Sequence, residues 1–129
     1  MATQAIVRQL ADLDWQGWPA EQVAERGQIA WKDLLGSNPA EGADMVMGVA
    51  RLRPGEALSP HRHTQPETYF MLAGRGEVTI DGVSHDVSVG TLVFIPGDAE
   101  HGIRNLHDEE LQFLYAFAVA DFNSVIYRF

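Results

Sequence analysis

Two imidazoles and a carboxylate stand close together mid-chain: His61, His63 and Glu67, inside the stretch Gly55 to Gly74, GEALSPHRHTQPETYFMLAG. An apolar run follows, Tyr69-Phe70-Met71-Leu72, that reads as a β-strand. Alternate side chains of a strand share a face, so His61 and His63 project together, as do Glu67, Tyr69 and Met71. Imidazole nitrogens and carboxylate oxygens are ligands for divalent transition metals, and three of them converging on one side of a sheet begin a metal site. His101, in the downstream stretch Gly90 to Asn105, is the fourth candidate. Four protein ligands on a six-coordinate ion leave two positions for water or a substrate carboxylate, which suits Lewis-acid chemistry. The expected cofactor is one divalent transition metal per chain (Fe, Mn, Ni or Zn) held by His61, His63, Glu67 and His101.

The elements that must bring His101 to the other three are short strands punctuated by turn residues. Residues 28–35 and 45–52 read as strands, the second ended by Pro54-Gly55. In the second, Met45, Met47 and Val49 share a face, which their apolar character assigns to the core. Beyond the histidine-rich loop, residues 67–73 and 77–80 read as strands, and Asp81-Gly82 marks a two-residue hairpin. Residues 83–87 return, residues 91–95 form an apolar strand, and Pro96-Gly97-Asp98 turns the chain into a short strand at 101–105. Residues 111–120 make the last long strand, with Phe113, Tyr115 and Phe117 on one side. His101 thus arrives beside the first motif after one meander, and Asn105 shares its parity. Many short strands, frequent Gly, Pro, Asn and Asp turns and little helix predict an all-β sandwich or small barrel. One domain, 1–129, comprises an irregular N-terminal arm (1–27, with one edge strand), a barrel core (about 45–119) and a packing tail (120–129). Trp15 and Trp18 are expected to pin the arm over the core or at a dimer contact.

A chain of 129 residues is long enough for one sizeable core. The net charge of −9, with nine scattered Lys and Arg, argues against nucleic acid or an anionic membrane as the main partner. Cysteine is absent, which excludes disulfides, thiolate metal sites and a cysteine nucleophile. The opening residues lack the pattern of a signal peptide, and no apolar run approaches the ~18 residues of a membrane span. The expectation is a cytoplasmic protein with a small-molecule substrate and neither nucleic acid nor membrane as partner.

The two histidine stretches resemble the paired motifs of the cupin superfamily. The first is matched by Gly55, His61, His63, Glu67 and Gly74. The second is matched by Gly90, Pro96, His101 and Asn105, but Asp98 stands at its inner glycine, with Gly97 one place earlier. The resemblance implies a single-domain jelly-roll β-barrel with an interior metal, commonly a homodimer, and at Asp98 a reshaped turn rather than a lost ligand. Cupins include dioxygenases, isomerases, lyases, decarboxylases and non-enzymatic binders. The small cupin dimethylsulfoniopropionate lyases are similar in more detail: His61-Arg-His63, Glu67-Thr-Tyr69, GDAEHGIRN, and a tail with Asp121-Phe122, Val125 and Tyr127. That similarity implies a metal-dependent β-elimination with Tyr69 as base and Tyr127 orienting or assisting from the tail. A nearby divalent cation would lower the phenol's pKa toward phenolate. The alternatives are an Fe(II)-dependent dioxygenase using the same ligands, a sugar isomerase, and a non-catalytic metal or metabolite binder. Arg62 is expected to face solvent, and His85 and His107 to lie on the surface. Arg51, Arg53 and Arg104 are candidates to offer a cation to a carboxylate substrate.

Overall fold

The computed structural model describes residues 4–119 and 121–129. The start of the arm at Met1 and the end of the last strand at Ala120 therefore lie outside the described residues. The arm contributes β1 (Gln16–Gly17), a one-turn helix α1 (Val23–Arg26) and β2 (Gly27–Gln28). The barrel follows as β3 (Ala30–Leu35), β4 (Val46–Leu52), β5 (Ala57–His61), β6 (Glu67–Ala73), β7 (Arg75–Ile80) and β8 (Val83–Ser88), then β9 (Leu92–Ile95), β10 (His101–Arg104) and β11 (Leu111–Phe117). Pairing is antiparallel throughout. One sheet has the order β1-β3-β4-β11-β6-β9 and the other β2-β5-β10-β7-β8. The two enclose one core: an all-β fold, as the turn-punctuated strands predict, with the jelly-roll form that the cupin resemblance implies.

Alternation decides which side chains fill that core. In β11, Leu111, Phe113, Tyr115 and Phe117 are buried and the residues between them less so. In β6, Glu67, Tyr69 and Met71 are buried while Phe70 and Leu72 are exposed. A one-residue slip would send each of these sets to solvent, so the buried face specifies the register. The hairpin between β7 and β8 turns on Asp81 and Gly82, both with positive φ (47° and 80°), as a two-residue turn of matching twist requires.

One face assignment is corrected. In β4 the core-facing residues are Val46, Gly48, Ala50 and Leu52, whereas Met45 is exposed and Met47 half-buried. Gly48 pairs with Tyr115. A Cβ built at Gly48 would lie 2.2 Å from the Tyr115 hydroxyl. The inner face of β4 must be small where the aromatic side chains of β11 cross it, so the bulky methionines turn outward. Val49 is buried from the outer side, where Lys32 and Arg51 stack on Trp15 of the arm (4.8 and 4.3 Å).

The arm joins both sheets, with β1 pairing with β3 and β2 with β5. The chain changes sheet at Ile29, which splits the strand expected over 28–35 into two. The tail contacts the body through backbone hydrogen bonds. Arg62 and Arg128 exchange backbone hydrogen bonds of 2.9 Å, and the Phe122 N–H donates to Gly36 O at 2.8 Å.

Candidate metal centre

Antiparallel pairing of β5 with β10 sets His61 directly opposite His101, and His63 follows on the loop leaving β5. All three imidazoles are about 1% exposed. Each Nδ1–H donates to a backbone carbonyl two residues away in sequence: His61 to Ser59 O at 2.8 Å, His63 to Gln65 O at 2.9 Å, and His101 to Ala99 O at 2.9 Å. These bonds assign the tautomer, leaving every Nε2 as a lone-pair acceptor. One ligand nitrogen from each ring lies within 4.8 Å of the others.

Glu67 faces this group from the other sheet, not from the same side of one sheet as strand parity predicts. It sits on β6, whose partners are β11 and β9. Its Oε1 lies 3.2 Å from His63 Nε2 and 3.3 Å from His101 Nε2. With the Nδ1 protons committed, those nitrogens and the carboxylate oxygen are all acceptors, and His61 Nε2 is buried with no partner. Acceptors this close and this dry demand a cation or a proton between them. Burial, aided by the His101 imidazole, lowers the His61 pKa to about 4, so His61 offers a neutral nitrogen near pH 7. These three imidazole nitrogens and the carboxylate, with each ring oriented by its Nδ1–H bond to a backbone carbonyl, fit a metal ion.

The second motif keeps its turn despite the aspartate. Asp98 itself adopts a positive φ of 63°. Its N–H donates to His63 O at 2.9 Å, and its carboxylate accepts from Arg128 Nη2 at 2.7 Å. A Cβ at Gly97 would lie 2.4 Å from Thr64 O, so the glycine one place earlier allows the close approach that brings the two histidine loops together. Asn105 is fully buried but spent on structure: its amide donates to Leu52 O and Glu109 O, and its oxygen accepts from the His107 N–H.

Tyr69 is buried on the same face as Glu67, its ring centroid 6.3 Å from that of His101. The Tyr127 ring, carried back by the tail, is nearer the group, 5.2 Å from His61 and 5.4 Å from His63. Burial pushes both phenols well above their ordinary pKa, and the Glu67 carboxylate adds to the effect. A cavity of about 40 Å³, room for a few water molecules, lies beside Glu67 and Tyr69. Its walls include Trp18, Trp31, Tyr115, Phe122 and Tyr127. The buried indole N–H groups of Trp18 and Trp31 have no partner.

Trp18 therefore pins the arm, as expected, but onto Trp31, Tyr127 and Phe129 as part of the pocket wall. Arg62 and His85 are exposed and His107 half-buried. None of the three candidate arginines lines the cavity: Arg51 stacks on Trp15, Arg104 pairs with Glu77 at 2.8 Å, and Arg53 is exposed. Arg26 of the arm stacks 4.6 Å over Trp18 and 4.9 Å over Phe129 of the tail. Sequence reasoning passed over Arg26 and Trp31, and named Tyr115 and Phe122 without placing them at the cavity. The available signals were the inward parity of Tyr115 with Phe113 and Phe117 and the place of Phe122 in the tail motif.

A jelly roll with three buried histidines and a glutamate between its sheets, and a small aromatic-walled cavity beside them, defines a metal-site β-barrel class. The chain belongs to the cupin family, whose cupin-domain model matches residues 48–117. It is 48% identical to the dimethylsulfoniopropionate lyase DddW of Ruegeria pomeroyi over 80% of this chain and 67% of that one. It is 37% identical to protein SchB of Streptomyces halstedii, covering 64% of this chain and 60% of that one. The crystal structure of a predicted oxalate decarboxylase from Thermotoga maritima shares the fold with a TM-score of 0.77 at 21% identity, covering 88% of this chain and 99% of that one. Among the described residues, no helix is long and apolar enough to cross a membrane.

Proposed function

We propose that this cupin is a metal-dependent lyase that cleaves dimethylsulfoniopropionate into acrylate and dimethyl sulfide. The observation that carries the reading is three histidine Nε2 lone pairs converging beside Glu67, with Tyr69 on the same strand face, in a chain 48% identical to a lyase of that substrate. His61, His63, Glu67 and His101 would hold the metal. A divalent ion of the Fe, Mn, Ni or Zn kind would supply Lewis acidity toward the substrate carboxylate and a positive charge opposing the burial and the Glu67 carboxylate that push the nearby phenols up.

The protein's own groups then handle the proton. The Tyr69 oxygen, as phenolate, takes the proton α to the carboxylate. The C–H electron pair becomes the new Cα=Cβ bond as the Cβ–S bond breaks, and dimethyl sulfide leaves with the sulfur electron pair. Tyr69 returns the proton to water. Tyr127 packs against His61 and His63 and orients the substrate from the tail. The dry aromatic wall keeps bulk water away from the developing charge. We also read the chain as a homodimer, a proposal that the apolar outer face of the larger sheet supports (Phe70, Leu72, Leu92 and Phe94 exposed).

The test is headspace dimethyl sulfide release by protein loaded separately with Mn, Fe, Ni or Zn. Release is expected with at least one metal. Tyr69→Phe should cut it by about 10²–10⁴ while keeping the metal, and His101→Ala should lose metal and activity together. No release with any metal, joined by oxygen uptake on iron loading, would replace the lyase with a dioxygenase. Bound metal without any turnover would leave a binding protein.

A further inference from the structure

The larger sheet places a carboxylate behind the cavity wall at its Tyr115 side. Asp33 on β3 pairs with Gly48 on β4, which pairs with Tyr115 on β11. Trp31, two residues before Asp33 on the same strand face, lines the cavity. Because Gly48 has no side chain, the Tyr115 ring crosses it, and the hydroxyl donates to Asp33 Oδ1 at 2.7 Å. The other carboxylate oxygen accepts from Gln16 Nε2 of the arm at 3.0 Å.

These donors are neutral, and Asp33 takes part in no ion pair among the described residues. The adjacent Lys32 turns to the opposite face, where it donates to Leu10 O and stacks on Trp15. Burial and Asp33 both hold the Tyr115 phenol neutral, so its proton stays on the carboxylate side and its oxygen lone pairs remain available as acceptors. A half-buried carboxylate with no ion-pair partner among the described residues thus stands behind a wall of aromatic rings, whose π-faces attract cations. The aromatic cluster already accommodates one such charge, Arg26, over Trp18 and Phe129.

We propose that Asp33, acting through Tyr115, is the countercharge for a small onium group, sulfonium or quaternary ammonium, and makes the pocket selective for cationic carboxylates. The proposal rests on the lyase reading for the identity of its substrate, but the recognition is separable from turnover. Glu67, Trp31 and Tyr115 line one cavity, so a substrate whose carboxylate was held at the histidines would have its onium end toward Trp31 and Tyr115, and Asp33 would determine specificity without touching the reacting atoms.

The experiment compares dimethylsulfoniopropionate with 4-methylpentanoate, which replaces the sulfonium by an uncharged CH of the same shape. Binding to metal-loaded wild type is measured by calorimetry and by quenching of the pocket tryptophans, with trimethylsulfonium alone as a third probe. Wild type should prefer the sulfonium compound about tenfold or more. Asp33→Asn, which keeps an acceptor for Tyr115, should erase most of that preference, leaving 4-methylpentanoate affinity and metal content unchanged. In turnover the loss should appear in KM rather than kcat. Tyr115→Phe should weaken the preference less, because the charge remains.

Equal binding of the charged and uncharged compounds by wild type, or by neither, overturns the inference without any variant being needed. A preference that survives Asp33→Asn overturns it as well, while leaving the lyase reading intact. Selective binding without dimethyl sulfide release removes the lyase reading and leaves the cation site standing.

Discussion

At the scale of single residues, the consequence most open to measurement is the charge state of His61. A free imidazole titrates near 6.5, whereas burial and His101 depress His61 in the folded protein to about 4. Between these values the unfolded chain binds a proton that the folded chain refuses. The contribution to stability is complete above pH 6.5 and is lost as the pH falls toward 4. The gap corresponds to about 3 kcal/mol. Urea unfolding of chelator-treated protein should therefore show a steep loss of stability from pH 7 to 4.5, and His61→Gln should flatten the part due to this residue. A profile unchanged by the substitution would mean that His61 is not the buried neutral group described here. Metal release should follow the same direction, because protons and metal compete for Nε2.

At the scale of elements, the arm and tail form one cover. Trp18 and Arg26 come from the arm, Tyr127 and Phe129 from the tail, and their rings pack together above His61, with Phe129 5.0 Å from the imidazole. The cavity beside Glu67 is small, about 40 Å³, and Trp18 and Tyr127 of this cover form part of its wall, so a ligand entering there presses on the cover. Phe129→Ala removes the ring shared by Trp18, Arg26 and His61. It should destabilise the protein by about 1–2 kcal/mol, less than a fully buried aromatic. That corresponds to a fall of about 4–8 °C in Tm, with faster amide exchange in residues 16–28 than in β11. Unchanged exchange in the arm would show that the two segments are not coupled. The sequence showed that both segments are apolar enough to pack. It did not show that they pack on each other, because two chain ends meet only through pairing with different sheets.

At the scale of the whole molecule, one surface stands out. Phe70 and Leu92 pair directly on β6 and β9, and with Leu72 and Phe94 they form an apolar outer face at the edge of the larger sheet. Phe94 is 60% and Leu92 65% exposed, far more than a chain of net charge −9 needs to leave bare. Apolar patches of this kind mark association surfaces. Light scattering should give a dimer mass for the wild type and a monomer mass for the Leu92→Lys, Phe94→Lys double variant. The variant's melting should depend less on protein concentration. A monomeric wild type would retire the homodimer.

What the sequence determined by itself was whatever depends on local spacing. The two-residue period of a strand put His61 with His63 and Glu67 with Tyr69. The Asp81-Gly82 turn made a hairpin, and imidazole and carboxylate chemistry pointed to a metal. Tertiary structure alone decided what depends on which strands meet. Glu67 faces the histidines from the opposite sheet because β6 pairs with β11 and β9. Met45 and Met47 face outward because Tyr115 needs the space above Gly48. Trp31, Tyr115 and Arg26 join the pocket or its cover, and Asp33 stands behind it, because β3, β4 and β11 are neighbours while the arm crosses between sheets. The alternating pattern records that a side chain is inward but not what it will face, since cross-sheet partners and steric clearance are set by pairings between residues far apart in the chain.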